Sequence, residues 1–113
     1  MNHTRIFVIF SLILIISPVS SLSVHFLDVG QGDATLIRHN GHTMLIDAGD
    51  MDAGPDILSY LQYQGVTRLD VLVSTHPHTD HIGGMSDILQ ALPVSLYVDN
   101  GATHTTPAYR NLE

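Results

Sequence analysis

Thr75-His76-Pro77-His78-Thr79-Asp80-His81-Ile82-Gly83-Gly84 places three imidazoles and one carboxylate within six residues, directly behind the apolar run Leu69-Asp70-Val71-Leu72-Val73-Ser74. That order reads as a metal-binding loop at the end of a strand. Imidazole nitrogen and carboxylate oxygen are donors that borderline cations such as Zn²⁺ accept at about 2.0–2.2 Å. In extended or looping backbone, residues two apart point to the same side, so His76 and His78 can converge on one ion. Asp80 and His81 follow where the glycine pair and Met85 to Leu92 signal the beginning of a helix, whose turn directs them towards a second ion. Two adjacent ions combine nucleophile generation with stabilisation of developing charge.

Upstream, Leu22, Val24 and Phe26 alternate with Ser23 and His25, which predicts a strand with its apolar residues on one side and His25 facing outward. Gly30-Gln31-Gly32-Asp33 forces a tight turn, Ala34 to Arg38 begins a second strand, and His39-Asn40-Gly41-His42 carries an Asn-Gly hairpin signal into Thr43-Met44-Leu45-Ile46. These strands form one antiparallel sheet. The Gly30 to Asp33 turn lacks the spacing of a phosphate or dinucleotide loop. Its glycines instead permit a tight crossing near the metal loop, where Asp33 can hydrogen-bond locally.

The third strand ends in Asp47-Ala48-Gly49-Asp50-Met51-Asp52-Ala53-Gly54. Asp50 and Asp52 are expected to be solvated, and Asp52 or Gly54 to cap the helix opened by Pro55. In that helix Ile57, Leu58 and Leu61 make the apolar stripe, Tyr60 and Tyr63 are packing residues, and Gly65 is the stop. Val66 to Val73 then returns as a strand that delivers the metal loop. Beyond the loop, Met85 to Leu92 is predicted helical with Ile88, Leu89 and Leu92 towards the sheet, and Pro93 ends it. Val94, Leu96 and Val98 alternate as a further strand, and a threonine cap with Pro107 starts a last helix.

His76-x-His78-x-Asp80-His81 resembles the signature of the metallo-beta-lactamase-fold hydrolases. With His25 to Ala34 and Met44 to Gly49 in order before it, the chain resembles the branch related to the hydrolase domain of the ComEC/Rec2 competence proteins, from about Leu22 to the end. The resemblance implies an α/β fold, the N-terminal part of a four-layer αββα sandwich. It implies two Zn²⁺, or Mn²⁺, held in part by His76, His78, Asp80 and His81. Asp80 would also be catalytic, orienting the attacking water, while Asp47 supports the loop from beneath by hydrogen bonds. His104 would stand at the active-site rim, with a surface loop histidine as the alternative.

The family's bridging aspartate and a further histidine come from later segments, so the resemblance also implies a truncated chain. A missing C-terminal half or a homodimeric partner would complete the site and cover the exposed sheet. The implied reaction is hydrolysis by a metal-activated water, phosphodiesterase or nuclease-like in the intact form. A beta-lactamase-like amide hydrolase and a non-catalytic fragment are the alternatives. The substrate is a small molecule or a phosphodiester, with nucleic acid implied by the resemblance alone.

Composition narrows the field further. The 113 residues allow one small domain, and the lack of cysteine excludes both a disulfide framework and a Cys-type zinc site. Four Lys/Arg against eleven Asp/Glu give a formal charge of −7, an unfavourable balance for binding nucleic acid through a broad basic face. Met1 to Arg5 carries one fixed positive side chain, Ile6 to Ile16 is almost wholly apolar, and Pro18-Val19-Ser20-Ser21 supplies a break and small residues. Residues 1–21 therefore read as a signal peptide, with residues 22–113 as the domain. The apolar core is shorter than the roughly 17–25 residues of a membrane span. The chain is expected to be extracytoplasmic or secreted, and membrane-anchored if the leader is uncleaved.

Overall fold

The computed structural model describes residues 20–112, so the expected signal peptide lies, except for its last two residues, outside the described part. The alternating stretches form β1 (Leu22–Phe26), β2 (Thr35–His39) and β3 (His42–Ile46), paired antiparallel in that order. Asn40 and Gly41 make the two-residue β2–β3 turn with φ of 48° and 80°. Positive φ at both turn positions matches the twist of the flanking strands, and Asn-Gly tolerates it best.

Beyond β3 the sheet changes sense. β4 (Leu69–Val73) pairs parallel with β3, and β5 (Val94–Val98) pairs parallel with β4, giving a five-stranded sheet in the order β1-β2-β3-β4-β5. Parallel neighbours need crossover connections. Here α1 (Gly54–Tyr63) provides the first, α2 (Thr79–Ile82) and α3 (Met85–Ala91) the second, and α4 (Pro107–Arg110) follows β5. Among the described residues, no helix is long and apolar enough to cross a membrane.

The strand register sorts the side chains into two faces. His25, Leu36, Leu45, Leu72 and Tyr97 form one cross-strand row. Its three leucines are fully buried in a cluster with Ile57 and Leu61 of α1 and Met85 and Ile88 of α3. Each such side chain contributes about 1.5–3 kcal/mol through burial. On the opposite face, Val24, Ile37, Met44, Val71 and Leu96 stand in register across all five strands. That face is open: Phe26 is 83% exposed and Leu96 54%.

The helix-covered face corrects the expectation for β1. Its apolar residues lie on the open side, whereas His25 points under the helices, with Nδ1 2.8 Å from the Tyr60 hydroxyl and Nε2 3.0 Å from Ser23 Oγ. Alternation distinguishes two faces but does not say which one the helices cover. Pairing of His25 with Leu36 decides that.

Four smaller expectations also change, the first being Tyr63, which was expected to pack but is exposed, while Tyr60 packs against the core. Leu89 is exposed and Met85 takes the buried place, because α3 begins at Met85 and its inward stripe runs through Met85 and Ile88. Ala53, without a side-chain bond, is the N-cap of α1 rather than Asp52 or Gly54. Val66 precedes β4 and donates its N–H to the Leu61 carbonyl, closing the end of α1.

Near the start of β4, Asp70 accepts hydrogen bonds from the Thr43 N–H at 2.7 Å and from Arg68 at 2.6 Å. The Thr43 bond first, and then Arg68, hold its carboxyl below the ordinary aspartate value. The associated stability is complete above the unfolded value of 3.8 and is lost as pH falls through the lower folded value.

Candidate metal centre

β3 and β4 run parallel, so their C-terminal ends deliver Asp47 and the Ser74 to His78 loop to one edge of the sheet. Ligand sites in such sheets gather at this edge. Asp47 is 3% exposed and sits at φ 59°, a left-handed conformation that aspartate adopts more readily than most side chains. Its backbone continues the ladder through an N–H bond to the Val73 carbonyl. Its carboxylate then reaches into the next loop. Oδ1 accepts from the Thr75 N–H at 2.9 Å, and Oδ2 accepts from Thr75 Oγ1 at 2.6 Å. Oδ2 is also 2.9 Å from His81 Nδ1.

The loop after β4 stays extended to His78, whose φ and ψ are −76° and 144°, and then enters the single turn of α2. Asp80 and His81 thus lie on that short helix, clipped to the turn after β3. Ala48 N–H donates to the His81 carbonyl, Gly83 N–H to Gly49, and Gly84 N–H to Ala48. The imidazoles cluster as a result. The His76 ring centre lies 4.7 Å from that of His78 and 4.0 Å from that of His81. His104 comes up beside them, 5.7 Å from His78.

His81 is oriented in the manner of a metal ligand. Its Nδ1 is engaged by the buried Asp47 carboxylate, which leaves Nε2 as the donor. That Nε2 lies 3.9 Å from Asp80 Oδ1. Two ligands placed tetrahedrally at about 2.1 Å from one ion stand about 3.4 Å apart, so this pair is within a small side-chain adjustment of a shared cation. Among the described residues, no three histidine or carboxylate donors close around a single point. The donors are of the kind zinc accepts, and the orientation of His81 Nε2 towards Asp80 suits a shared cation.

A second approach comes from the turn after β1, whose contact with the metal loop is closer than its sequence implied. Gly32 has φ 95° and lies so near the Asp80 peptide that a Cβ there would collide with the Asp80 carbonyl. Asp33 N–H donates to that same carbonyl at 3.3 Å, and its Oδ2 stands 3.8 Å from His81 Nδ1. The Gly-Gln-Gly-Asp spelling signals a tight crossing near the metal loop but does not say that it meets the Asp80 peptide. Thr75 is the residue whose role the sequence did not announce. A hydroxyl next to the first histidine was its only signal.

Comparison with known proteins agrees with this fold. Residues 27–108 match the family described as the metallo-beta-lactamase superfamily. The chain is 47% identical over 75 residues to Recombination protein 2 of Haemophilus influenzae, covering 62% of this chain and 9% of that protein. It is 43% identical over 60 residues to a hydroxyacylglutathione hydrolase of Aeromonas salmonicida, covering 51% of this chain and 21% of that one. Among solved structures, a subclass B3 metallo-beta-lactamase from a soil metagenome library superposes with a TM-score of 0.58 at 25% identity, over 66% of this chain and 29% of that one. In each case the match spans less than a third of the relative's length. Members of this superfamily are metal-dependent. The match over most of the sequence, the mixed sheet with its flanking helices and the histidine-aspartate edge together place this chain in the metallo-beta-lactamase superfamily.

Proposed function

We propose that this chain supplies the histidine-rich half of a hydrolase centre that cleaves phosphodiesters with a metal-activated water. The observation that carries the reading is the cluster in which Asp47-bound His81 presents Nε2 towards Asp80, beside His76 and His78. His76 and His78 would hold one Zn²⁺, Asp80 and His81 a second, with Mn²⁺ as the other ion suited to these donors. When bound, such ions acidify water towards neutral pH and polarise the substrate's oxygen.

The chain's own residues do the rest. Asp47 keeps His81 oriented, and Asp80 accepts a hydrogen bond from the attacking water and so aims its lone pair. The carboxylates of Asp33, Asp47 and Asp80 repel an anionic substrate, so cations at the imidazoles are also a condition for phosphate to approach.

The second reading is thioester hydrolysis, favoured by the 43% identity to the hydroxyacylglutathione hydrolase. In the four-layer fold the open sheet face meets a second sheet, and a complementary half-fold is the partner we propose for it. The test assays this chain, alone and joined to whatever its reading frame encodes beyond Glu113, on a phosphodiester, single-stranded DNA, a glutathione thioester and a beta-lactam. Zn²⁺- or Mn²⁺-dependent phosphodiester turnover, abolished by chelation, is expected in the completed protein, together with loss of hydrophobic-dye binding. Thioester turnover alone would move the assignment to the second reading. Tight metal binding without turnover of any substrate would leave a non-catalytic module.

The proposed place of action is extracytoplasmic, from the leader-like residues 1–21. N-terminal sequencing after expression in an exporting host should give a mature start near Leu22. A full-length cytosolic product would contradict export.

A further inference from the structure

We infer that Thr75 is a positioning residue through which the Asp47 carboxylate fixes the tautomer of His76 as well as that of His81, so that one buried acid aims an imidazole at each of the two metal positions. Hydrogen counting leads to this assignment. A carboxylate has no proton to give, so the 2.6 Å contact between Thr75 Oγ1 and Asp47 Oδ2 uses the hydroxyl proton of Thr75. Thr75 Oγ1 then has only lone pairs left. His76 Nδ1 lies 3.0 Å from that oxygen and must be the donor. His76 is therefore held with hydrogen on Nδ1 and a lone pair on Nε2.

His81 reaches the same state directly, because its Nδ1 lies 2.9 Å from the same Asp47 oxygen. Asp47 Oδ1 is meanwhile occupied by the Thr75 N–H at 2.9 Å, which locks the threonine backbone to the carboxylate that its side chain also contacts. The arrangement links His76 of the first proposed pair to His81 of the second. A hydroxyl at position 75 is required for it, and a methyl group of the same size cannot replace it.

The metal consequence rests on the proposed centre, whereas the tautomers do not, and the experiment separates them. The 113-residue chain, labelled with ¹⁵N-histidine and free of metal, is examined at pH 8 by long-range ¹H–¹⁵N correlation, with His76→Gln identifying the His76 signals. Nδ1–H forms are expected for both His76 and His81 in the wild type. Thr75→Val should convert His76 to the Nε2–H form while His81, bonded directly to Asp47, keeps its pattern and reports an intact fold. Thr75→Ser should restore the wild-type His76 pattern.

Zn²⁺ titration of the same proteins should show binding weakened about 10–100-fold in Thr75→Val, the range found when groups that orient metal ligands are removed, and nearly unchanged in Thr75→Ser. An Nε2–H form at His76 in the wild type overturns the inference even if the valine variant fails to fold. So does a His76 pattern in a folded Thr75→Val protein that matches the wild type. A wild type with the expected tautomers and no zinc affinity would overturn the metal centre and leave the tautomer assignment standing.

Discussion

Gly32→Ala is expected to destabilise the chain by about 2–4 kcal/mol, combining backbone strain with overpacking, and to reduce metal-dependent turnover of the completed protein by about 100-fold. Its φ of 95° is strained for any residue with a Cβ, and the added methyl would collide with the Asp80 carbonyl. The Asp80 peptide must then move, and with it a carboxylate that we propose shares the second metal position with His81. A displacement of roughly 1 Å in such a position costs about 100-fold in rate. Gly30→Ala is the control, because Gly30 has a φ of 71° and a methyl group added there would meet no atom within 4 Å. It should lose only about 1–3 kcal/mol from backbone strain and keep its turnover. Chemical denaturation and steady-state assays of the two variants give the comparison. Equal turnover in both would mean that the Gly32 approach does not set the position of Asp80.

Much of this was legible in the sequence because local chemistry decided it. Asn40-Gly41 specified a two-residue hairpin, and the alternation on either side made β2 and β3. The glycine pair and Pro93 bracket α3. His76, His78, Asp80 and His81 stand together because spacing within six residues leaves the chain few other arrangements once α2 has formed.

What was not legible depends on contacts between distant segments. The side of β1 that meets the helices was set by pairing with β2 and by Tyr60, 35 residues away from His25. Val24 and Phe26 look like core residues but lie on the open face, where the register continues through Ile37, Met44, Val71 and Leu96. The role of Gly32 required the β1–β2 turn to be laid against α2. Thr75 is similar: its hydroxyl gains significance only because Asp47, 28 residues earlier, ends the neighbouring parallel strand.

Replacing His76 and His78 together by alanine is expected to weaken Zn²⁺ binding by more than about 100-fold, since losing groups that merely orient ligands already costs about 10–100-fold. The two rings are 4.7 Å apart between centres and supply both imidazoles of the first proposed position. The substitutions leave the bonds of Asp47 to Thr75 and His81 in place, and neither histidine belongs to the buried cluster beneath the helices. Loss of affinity with an unchanged fold is therefore the expected pattern. His25→Ala serves as the contrast, because His25 bonds to Tyr60 and Ser23 rather than to any residue of the metal loop. Its zinc affinity should stay close to that of the wild type. Because imidazole binds metal only in its deprotonated form, protons compete with the ion and uptake should weaken as the medium is acidified.

Calorimetric titration of Zn²⁺ into the wild-type chain, the His76→Ala/His78→Ala protein and the His25→Ala protein at pH 7.5 tests the metal centre most directly. Tight uptake is expected in the wild type and in His25→Ala, and its loss in the double variant. Equal zinc affinity in the wild type and the double variant would contradict a metal centre built on His76 and His78.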